Sequence, residues 1–184
     1  ACTVMLDGAP VCGCMVPAGR LDGADIETVE GLAEGDALTA LQKSFLAHGA
    51  AQCGICTPGM LMSAAALLKQ TTSPDRTQVE DALGGVLCRC TGYAKIIDAV
   101  VAAPGFVQAD EPELAAGAAV GAAPARLDGV PKVAGTDVFG ADEAPDGALV
   151  VRVVYGFARA FDHRDVALGP YSARTEDFAA LIRF

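Results

Sequence analysis

The sequence predicts an α+β protein in which a short β unit precedes a helical bundle and a second region with strand character. Three observations support this fold class. Short apolar runs flank the Asp7-Gly8 dipeptide near the start of the chain, which is a hairpin signal. Helical periodicity and capping residues dominate residues 24–104. A β-branched run, "GALVVRVVYG", then follows at residues 147–156.

The elements follow in chain order. Residues 1–13, "ACTVMLDGAPVCG", are predicted to form the end of a β unit with a hairpin at Asp7-Gly8. "DIETVEGLA" is predicted to form a short first helix. "DALTALQKSFLAHG" is a stronger helix with Asp36 as its N-cap and Gly49 at its end. Its apolar face is formed by Leu38, Leu41, Phe45 and Leu46.

Three further helices are predicted from their starting residues. "TPGMLMSAAALLKQ" has Thr57 as N-cap and Pro58 at the first helical position. "SPDRTQVEDALGG" offers Ser73 as N-cap, with Thr77 as a rival. "TGYAKIIDAVVAA" begins at Thr91 and ends before a proline. The short connections predict a compact antiparallel bundle.

The last third of the chain changes in composition. Residues 105–125 are acidic and then rich in small side chains, which predicts a linker. "KVAGTDVFGAD", before the β-branched run, is predicted to form a short strand and turn. Residues 126–184 are therefore interpreted as the beginning of a second domain, too small to build a large core by itself.

Charge and hydropathy exclude some classes of partner. The 184 residues carry a net charge of −10, which disfavours nucleic acid and anionic membranes. No apolar run reaches the length of about 18 residues that is needed to span a bilayer. We expect a cytoplasmic protein, with a periplasmic location left open because the chain begins at Ala1 without an initiator methionine.

Seven cysteines, an odd number with close pairs, favour a metal site over a disulfide framework. Cys53 and Cys56 precede one predicted helix, and Cys88 and Cys90 precede another. Helix N-termini favour negative charge, which suits the four thiolates of a [2Fe–2S] cluster. A structural zinc site with four cysteines is the alternative, although the C-x-C spacing is tighter than usual for zinc. Nearby, Tyr93 is interpreted as a packing residue.

"LQKSFLAHGAAQCGICTPGM" followed by "CRCTGY" resembles the second iron–sulfur domain of the molybdenum hydroxylases, the xanthine oxidase and aldehyde oxidoreductase family. "ACTVMLDGAPVCGC" is similar to the end of that family's plant-type, β-grasp ferredoxin domain. "RLDGVPKVAGTDVFGAD" with "GALVVRVV" is similar to the opening of the molybdenum-binding part. The resemblance implies four segments: a ferredoxin-domain remnant at 1–18, a helical cluster domain at 19–104, a linker at 105–125, and the start of a hammerhead-like molybdenum-binding domain at 126–184.

The resemblance also implies functional residues. Cys53, Cys56, Cys88 and Cys90 match all four ligands of the helical-domain cluster. Cys2 and Cys14, with eleven residues between them, match the third and fourth ligands of the ferredoxin cluster, and Cys12 is extra. Gln52 and Cys90 match the positions that contact the molybdopterin cofactor. No catalytic residue is assigned in this chain, because the family's catalytic groups lie further along the molybdenum-binding part.

The implied function is the electron-transfer part of an oxidoreductase that hydroxylates a carbon centre with water, with aldehyde to carboxylate as the leading case. The short linker leaves no room for a flavin domain, as in flavin-free bacterial aldehyde oxidoreductases. Expected partners are a molybdenum-binding chain or the remainder of the same polypeptide, a second copy in a homodimer, and an external acceptor such as ferredoxin, flavodoxin or a flavin subunit. The alternatives are a stand-alone [2Fe–2S] carrier and a zinc-stabilised interaction module.

Overall fold

The computed structural model describes residues 2–33, 35, 37–109, 115–118, 120–122, 124–140, 142–143 and 146–147. The chain divides into two compact units, Ala1–Asp137 and Val138–Phe184. The strands of the first unit are β1 (Thr3–Leu6), β2 (Ala9–Cys12) and β3 (Ile26–Glu27). Its helices are α1 (Ala40–Ala47), α2 (Thr57–Gln70), α3 (Arg76–Leu83), α4 (Ala94–Ala102) and α5 (Gly129–Ala134). These elements confirm the mixed helix and sheet composition.

The predicted hairpin is confirmed. β1 and β2 pair antiparallel, with Thr3 opposite Cys12 and Leu6 opposite Ala9. Asp7 and Gly8 form the two-residue turn with φ values of 50° and 80°, the left-handed geometry that matches strand twist. β3 pairs with the other side of β1, so the sheet order is β2-β1-β3.

The helix predicted in "DIETVEGLA" is wrong. This segment forms β3 and then a single 3₁₀ turn, Val29–Gly31. Pairing of Ile26 and Glu27 with Leu6 and Met5 fixes an extended backbone there, so the sheet contact outweighs the local helical pattern.

Helices α1 and α3 begin at capping boxes that differ from the predicted caps. Thr39, not Asp36, is the N-cap of α1, and its hydroxyl accepts a hydrogen bond from the Gln42 N–H. Asp75, rather than Ser73 or Thr77, caps α3 in the same way with Gln78. In both cases the glutamine Oε1 accepts a hydrogen bond from the backbone N–H of the cap residue, so two backbone donors are satisfied together. An N-cap residue without a glutamine or glutamate three positions later lacks the second of these hydrogen bonds.

Helices α2 and α4 begin at the ends of the cysteine loops. Cys56 itself is the N-cap of α2, so Thr57 lies inside the helix and Pro58 within its first turn. α4 begins at Ala94, three residues after the predicted start at Thr91, and its N-cap Tyr93 has a left-handed backbone with φ 68°. Thr91 lies before the helix, and its hydroxyl oxygen accepts a 3.0 Å hydrogen bond from the Tyr93 N–H.

The core is formed where the helices meet. α1 packs against α4 and α2, α3 packs against α2 and α4, and β1 packs against α2. The largest fully buried apolar side chains are Met5, Phe45, Met60, Leu61, Met62, Leu83 and Ile96. No helix within the described ranges is both long and apolar enough to cross a membrane.

The segment 126–137 lies in the same compact unit as the bundle. Its centre is helix α5, which corrects the strand predicted in "KVAGTDVFGAD". α5 packs against α1 and α2, and the buried Gln42 side chain donates a 2.9 Å hydrogen bond to the Val133 carbonyl. Gly135, left-handed at φ 78°, ends the helix. The strand predicted at 147–156 lies outside the described residues apart from Gly147.

Candidate metal centre

Two loops bring four thiols together. The 53–56 loop leads into α2, and the 88–90 loop precedes α4. The sulfurs of Cys53 and Cys90 are 3.4 Å apart, although these residues are 37 positions apart in the chain. The thiols of Cys56 and Cys88 also influence each other's pKa across the same two loops. The structure therefore joins one thiol of each sequence pair to one thiol of the other.

The four thiols differ in their exposure to solvent. Cys56 is buried, with 7% of its surface exposed, whereas Cys53 and Cys90 are exposed and Cys88 is half-buried. Burial, and next the contact with Cys88, raises the pKa of Cys56 to about 12. For Cys88, burial would raise the pKa, but hydrogen bonds from Thr91 outweigh it and the net pKa is lowered. Without a positive ion the Cys56 thiol therefore holds its proton, and metal binding would displace it.

The second loop is held by its own hydrogen bonds. The Thr91 hydroxyl lies 3.1 Å from the Cys88 sulfur, and the Thr91 N–H donates to the same sulfur at 3.5 Å. The Tyr93 hydroxyl accepts from the Cys88 N–H at 2.9 Å and donates to the Val86 carbonyl at 3.2 Å. Tyr93 packs against the core, as predicted, but it also fixes this loop. The sequence gives no signal for these two hydrogen bonds.

A separate pair of thiols lies at the hairpin. The sulfurs of Cys2 and Cys14 are 3.0 Å apart, and both residues are exposed. Their hydrogen bond lowers the pKa of Cys2 and raises that of Cys14. Cys12 ends β2 opposite Thr3 and is not part of this sulfur pair.

The two thiol sites are neighbours. A cavity of about 150 Å³ is lined by the hairpin residues Cys2, Thr3 and Cys12 on one side and by Gly85, Val86 and Leu87 on the other. The latter residues lead directly into Cys88. Gln52 is exposed beside Cys53, so it lies on the accessible side of the larger thiol site.

The donor set fits a two-iron cluster. Thiolates are the ligands of [2Fe–2S] clusters, with two on each iron, so a two-by-two arrangement of sulfurs matches that requirement. A mononuclear zinc site instead needs four donors around one ion. The approach of the Cys53 and Cys90 sulfurs in a pair therefore suits the two-iron cluster better than zinc.

Basic residues of the segment 126–137 contact the 53–56 loop and the residues just before it. Arg126 donates a 2.6 Å hydrogen bond to the Ala51 carbonyl and pairs with Asp128. Lys132, with 7% of its surface exposed, lies over Gly54 and pairs with Asp128 and Asp137. No local pattern in the sequence indicates these contacts, because they join residues about 75 positions apart.

Comparison with known proteins gives a consistent result. A family described as "[2Fe-2S] binding domain" matches residues 28–101. The nicotine 6-hydroxylase small subunit of Paenarthrobacter nicotinovorans is 52% identical over 107 residues, which is 58% of this chain and 64% of that subunit. The chain thus spans just under two thirds of the length of this relative.

Two solved structures are similar in fold. Aldehyde oxidoreductase from Desulfovibrio gigas superposes with a TM-score of 0.68 at 38% identity, over 80% of this chain and 18% of that one. Quinoline 2-oxidoreductase from Pseudomonas putida 86 superposes with a TM-score of 0.54 at 48% identity, over 55% of this chain and 67% of that one.

Proposed function

The chain belongs to the molybdenum hydroxylase family as one of its iron–sulfur components, and from this premise we propose that it carries electrons from a molybdenum–pterin centre to an external acceptor. A [2Fe–2S] cluster supplies one-electron redox chemistry when bound. Cys53, Cys56, Cys88 and Cys90 would hold one cluster, and Cys2 and Cys14 would supply two ligands of another. The observation that carries this proposal is the 3.4 Å approach of the Cys53 and Cys90 sulfurs from two separate loops.

The chain's own residues prepare the larger site. Cys56 is the N-cap of α2, at the positive end of the helix dipole, which would stabilise its thiolate once a metal displaces the proton that burial otherwise holds there. Thr91 directs a hydroxyl and an N–H at the Cys88 sulfur, and such hydrogen bonds stabilise added negative charge there. The hairpin and the 85–87 residues line one cavity, so the two thiol sites lie on adjoining parts of the fold.

The accessible side of the larger site would face the pterin. Gln52, Cys53 and Cys90 are exposed together, whereas Cys56 is buried. We assign Gln52 and Cys90 to pterin contact on this ground and on the family resemblance. The partner is then a molybdenum-binding chain, or further residues of the same polypeptide in the layout 1–18, 19–104, 105–125 and 126–184.

The proposed overall reaction is hydroxylation of a carbon centre with water as the oxygen source. Two electrons leave the substrate and pass singly to an acceptor such as ferredoxin, flavodoxin or a flavin subunit. Aldehyde to carboxylate is the preferred case, because the similarity to an aldehyde oxidoreductase extends over 80% of this chain. A nitrogen heterocycle is the alternative substrate, suggested by the names of the nicotine and quinoline enzymes.

EPR spectroscopy of the dithionite-reduced protein, with iron, molybdenum and zinc analysis of the same sample, tests this proposal. A [2Fe–2S] signal that accompanies molybdenum in the purified assembly supports it. A cluster signal with no molybdenum in any purified assembly indicates a stand-alone carrier. Stoichiometric zinc without an EPR signal indicates a zinc-stabilised module and refutes the proposal.

A further inference from the structure

The segment 126–137 contacts the loop that carries Cys53 and Cys56 at two backbone positions. Arg126 reaches the Ala51 carbonyl, two residues before Cys53, with a 2.6 Å hydrogen bond. Lys132 lies over Gly54, between the two cysteines. A Cβ atom built on Gly54 would be 2.9 Å from the Lys132 Cδ and 3.0 Å from its Cγ, so only glycine leaves room for this side chain.

These two basic side chains are themselves held in place. Arg126 forms a two-point pair with Asp128, through its Nε and Nη2 atoms. Lys132 pairs with Asp128 at 3.4 Å and also with Asp137. Its side chain is only 8% exposed, so water weakens its ion pairs less than it weakens surface pairs. The fixed geometry of these pairs keeps Arg126 and Lys132 against the loop.

The segment is also anchored to the bundle away from the loop. The buried Gln42 amide donates to the Val133 carbonyl at 2.9 Å, and Val133 is fully buried. Gly129 approaches Leu46 so closely that a Cβ atom there would be 2.8 Å from the Leu46 Cδ2. Because both ends of α5 are in tight contact with the bundle, Arg126 and Lys132 form part of a docked segment.

We propose that Arg126 and Lys132 are positioning residues for the metal centre, which hold the Cys53–Cys56 loop in the geometry that binds the cluster. This inference rests on the proposed function. The two cations Arg126 and Lys132 are balanced by the two carboxylates Asp128 and Asp137, so the segment has a net charge of zero. It therefore acts on the Cys53–Cys56 loop through direct contacts. The pKa of Arg126 is raised chiefly by its hydrogen bond to Asp128.

Cluster retention should then depend on residues that follow the linker. Removing the Arg126 contact releases the Ala51 carbonyl and loosens the backbone that leads into Cys53. Removing the Lys132 charge while keeping an unbranched apolar side chain, as in Lys132→Met, leaves Asp137, which is 17% exposed, without this ion pair. Both changes act on the loop and leave all four thiols present.

The test compares Arg126→Gln and Lys132→Met with the control Arg76→Gln in the full chain. Arg76 makes exposed ion pairs with Glu80 and Asp98 on the surface of α3 and α4. The first measurement is hydrogen exchange of residues 49–57 in the metal-free chain. The second is the rate of iron loss to a chelator, together with the EPR line shape, in the iron-loaded chain. Thermal unfolding followed by circular dichroism verifies that each variant folds.

We expect faster exchange at 49–57, an altered EPR line shape, and iron loss accelerated roughly tenfold, as for one lost charge-assisted hydrogen bond. Arg76→Gln should match the wild type in all three measurements. If the wild-type chain holds its cluster and both variants show wild-type hydrogen exchange and iron retention, the inference is overturned. The proposed function is then left intact. A wild-type chain that takes up no iron would overturn both.

Discussion

The hydroxyl of Tyr93 accepts a 2.9 Å hydrogen bond from the backbone N–H of Cys88 and donates another to the Val86 carbonyl. A tyrosine thus closes the loop that presents two of the four thiols. Its backbone has φ 68°, a left-handed conformation that costs a non-glycine residue about 1–2 kcal/mol. Strain of this kind persists where surrounding contacts over-determine the conformation.

Tyr93→Phe should therefore destabilise this loop without changing the fold. The change removes one hydroxyl and leaves the Cys88 N–H and the Val86 carbonyl without this partner, a cost of about 1–3 kcal/mol. We expect faster iron loss to a chelator and a changed reduction potential of the cluster, with an unchanged circular dichroism spectrum. A variant that retains iron and keeps the wild-type potential would contradict the role assigned to the hydroxyl.

Cys90→Ser and Gln52→Ala should distinguish cluster ligation from pterin contact at the exposed side of the four-thiol site. Cys90 would be both a cluster ligand and a pterin contact, whereas Gln52 would only contact the pterin. In the complete enzyme we expect Cys90→Ser to lose both the helical-domain cluster signal and molybdenum. Gln52→Ala should lose molybdenum while it keeps its iron. The check is iron and molybdenum analysis with EPR, and normal molybdenum in both variants would defeat the pterin assignment.

Cys12→Ser and Cys14→Ser form a matched pair at the hairpin. The Cys14 sulfur lies 3.0 Å from that of Cys2, and Cys12 is outside this pair. Cys12→Ser should leave the iron content of the complete protein unchanged, whereas Cys14→Ser should remove the second cluster. The measurement is iron per protein together with the number of EPR signals. Loss of a signal in Cys12→Ser would show that the fourth ligand was wrongly assigned.

Gly135→Ala should release the segment 126–137 from the bundle. A Cβ atom at this position would be 2.5 Å from the Val29 Cγ1, and the backbone has φ +78°. Gly105→Ala is the control, since Gly105 has φ +70° but no atom within 4 Å of its Cβ position. Both variants carry the backbone cost of about 1–2 kcal/mol. Only Gly135→Ala also creates a steric overlap with Val29, which costs about a further 1–3 kcal/mol.

Limited trypsin digestion at Arg126 and Lys132 measures this difference, because cleavage follows the population of the undocked state. Gly135→Ala should be cleaved at least several-fold faster than Gly105→Ala. Equal cleavage of the two variants would mean that the close contact with Val29 does not hold the segment.

The pKa of Asp128 provides a pH-dependent prediction. The Arg126 guanidinium lowers it from 3.8 to about 2. Because the pKa of Asp128 lies below its ordinary value, the contribution of this pair within the segment is fully present above the ordinary pKa and is lost as the pH falls towards 2. An NMR titration of the Asp128 carboxyl carbon should find a midpoint near 2 in the wild type and a higher one in Arg126→Gln. Identical midpoints would show that the pair does not form in solution.

The sequence was sufficient to predict features that depend on short spacings. The hairpin follows from Asp7-Gly8 between apolar runs, and the thiol site follows from the C-x-x-C and C-x-C spacings before helices. Helix starts were less certain, because several Ser, Thr and Asp residues compete for each N-cap, and only Thr39 and Asp75 have a glutamine three residues later.

Contacts between distant residues could not be predicted. α5 is helical in the structure although a strand was predicted over its last residues. Its packing against α1 and α2 stabilises the helix over the strand. The hydrogen bond from Arg126 to Ala51 joins positions 75 residues apart, and no periodicity carries that information. The Tyr93 hydrogen bonds depend on a left-handed backbone, which is unusual for an aromatic residue.

The location of Arg126 and Lys132 bears on how such redox modules can be divided between genes. A break in the reading frame within residues 105–125 would place both side chains on a different polypeptide from the thiol loop that they touch. In the separated module, Ala51 and Gly54 would then be contacted by other residues of the same chain, or by Arg126 and Lys132 of the second chain after the subunits assemble. A break after Asp137 would leave the module whole, so the position of a gene fission decides whether cluster retention is a property of one chain or of a complex.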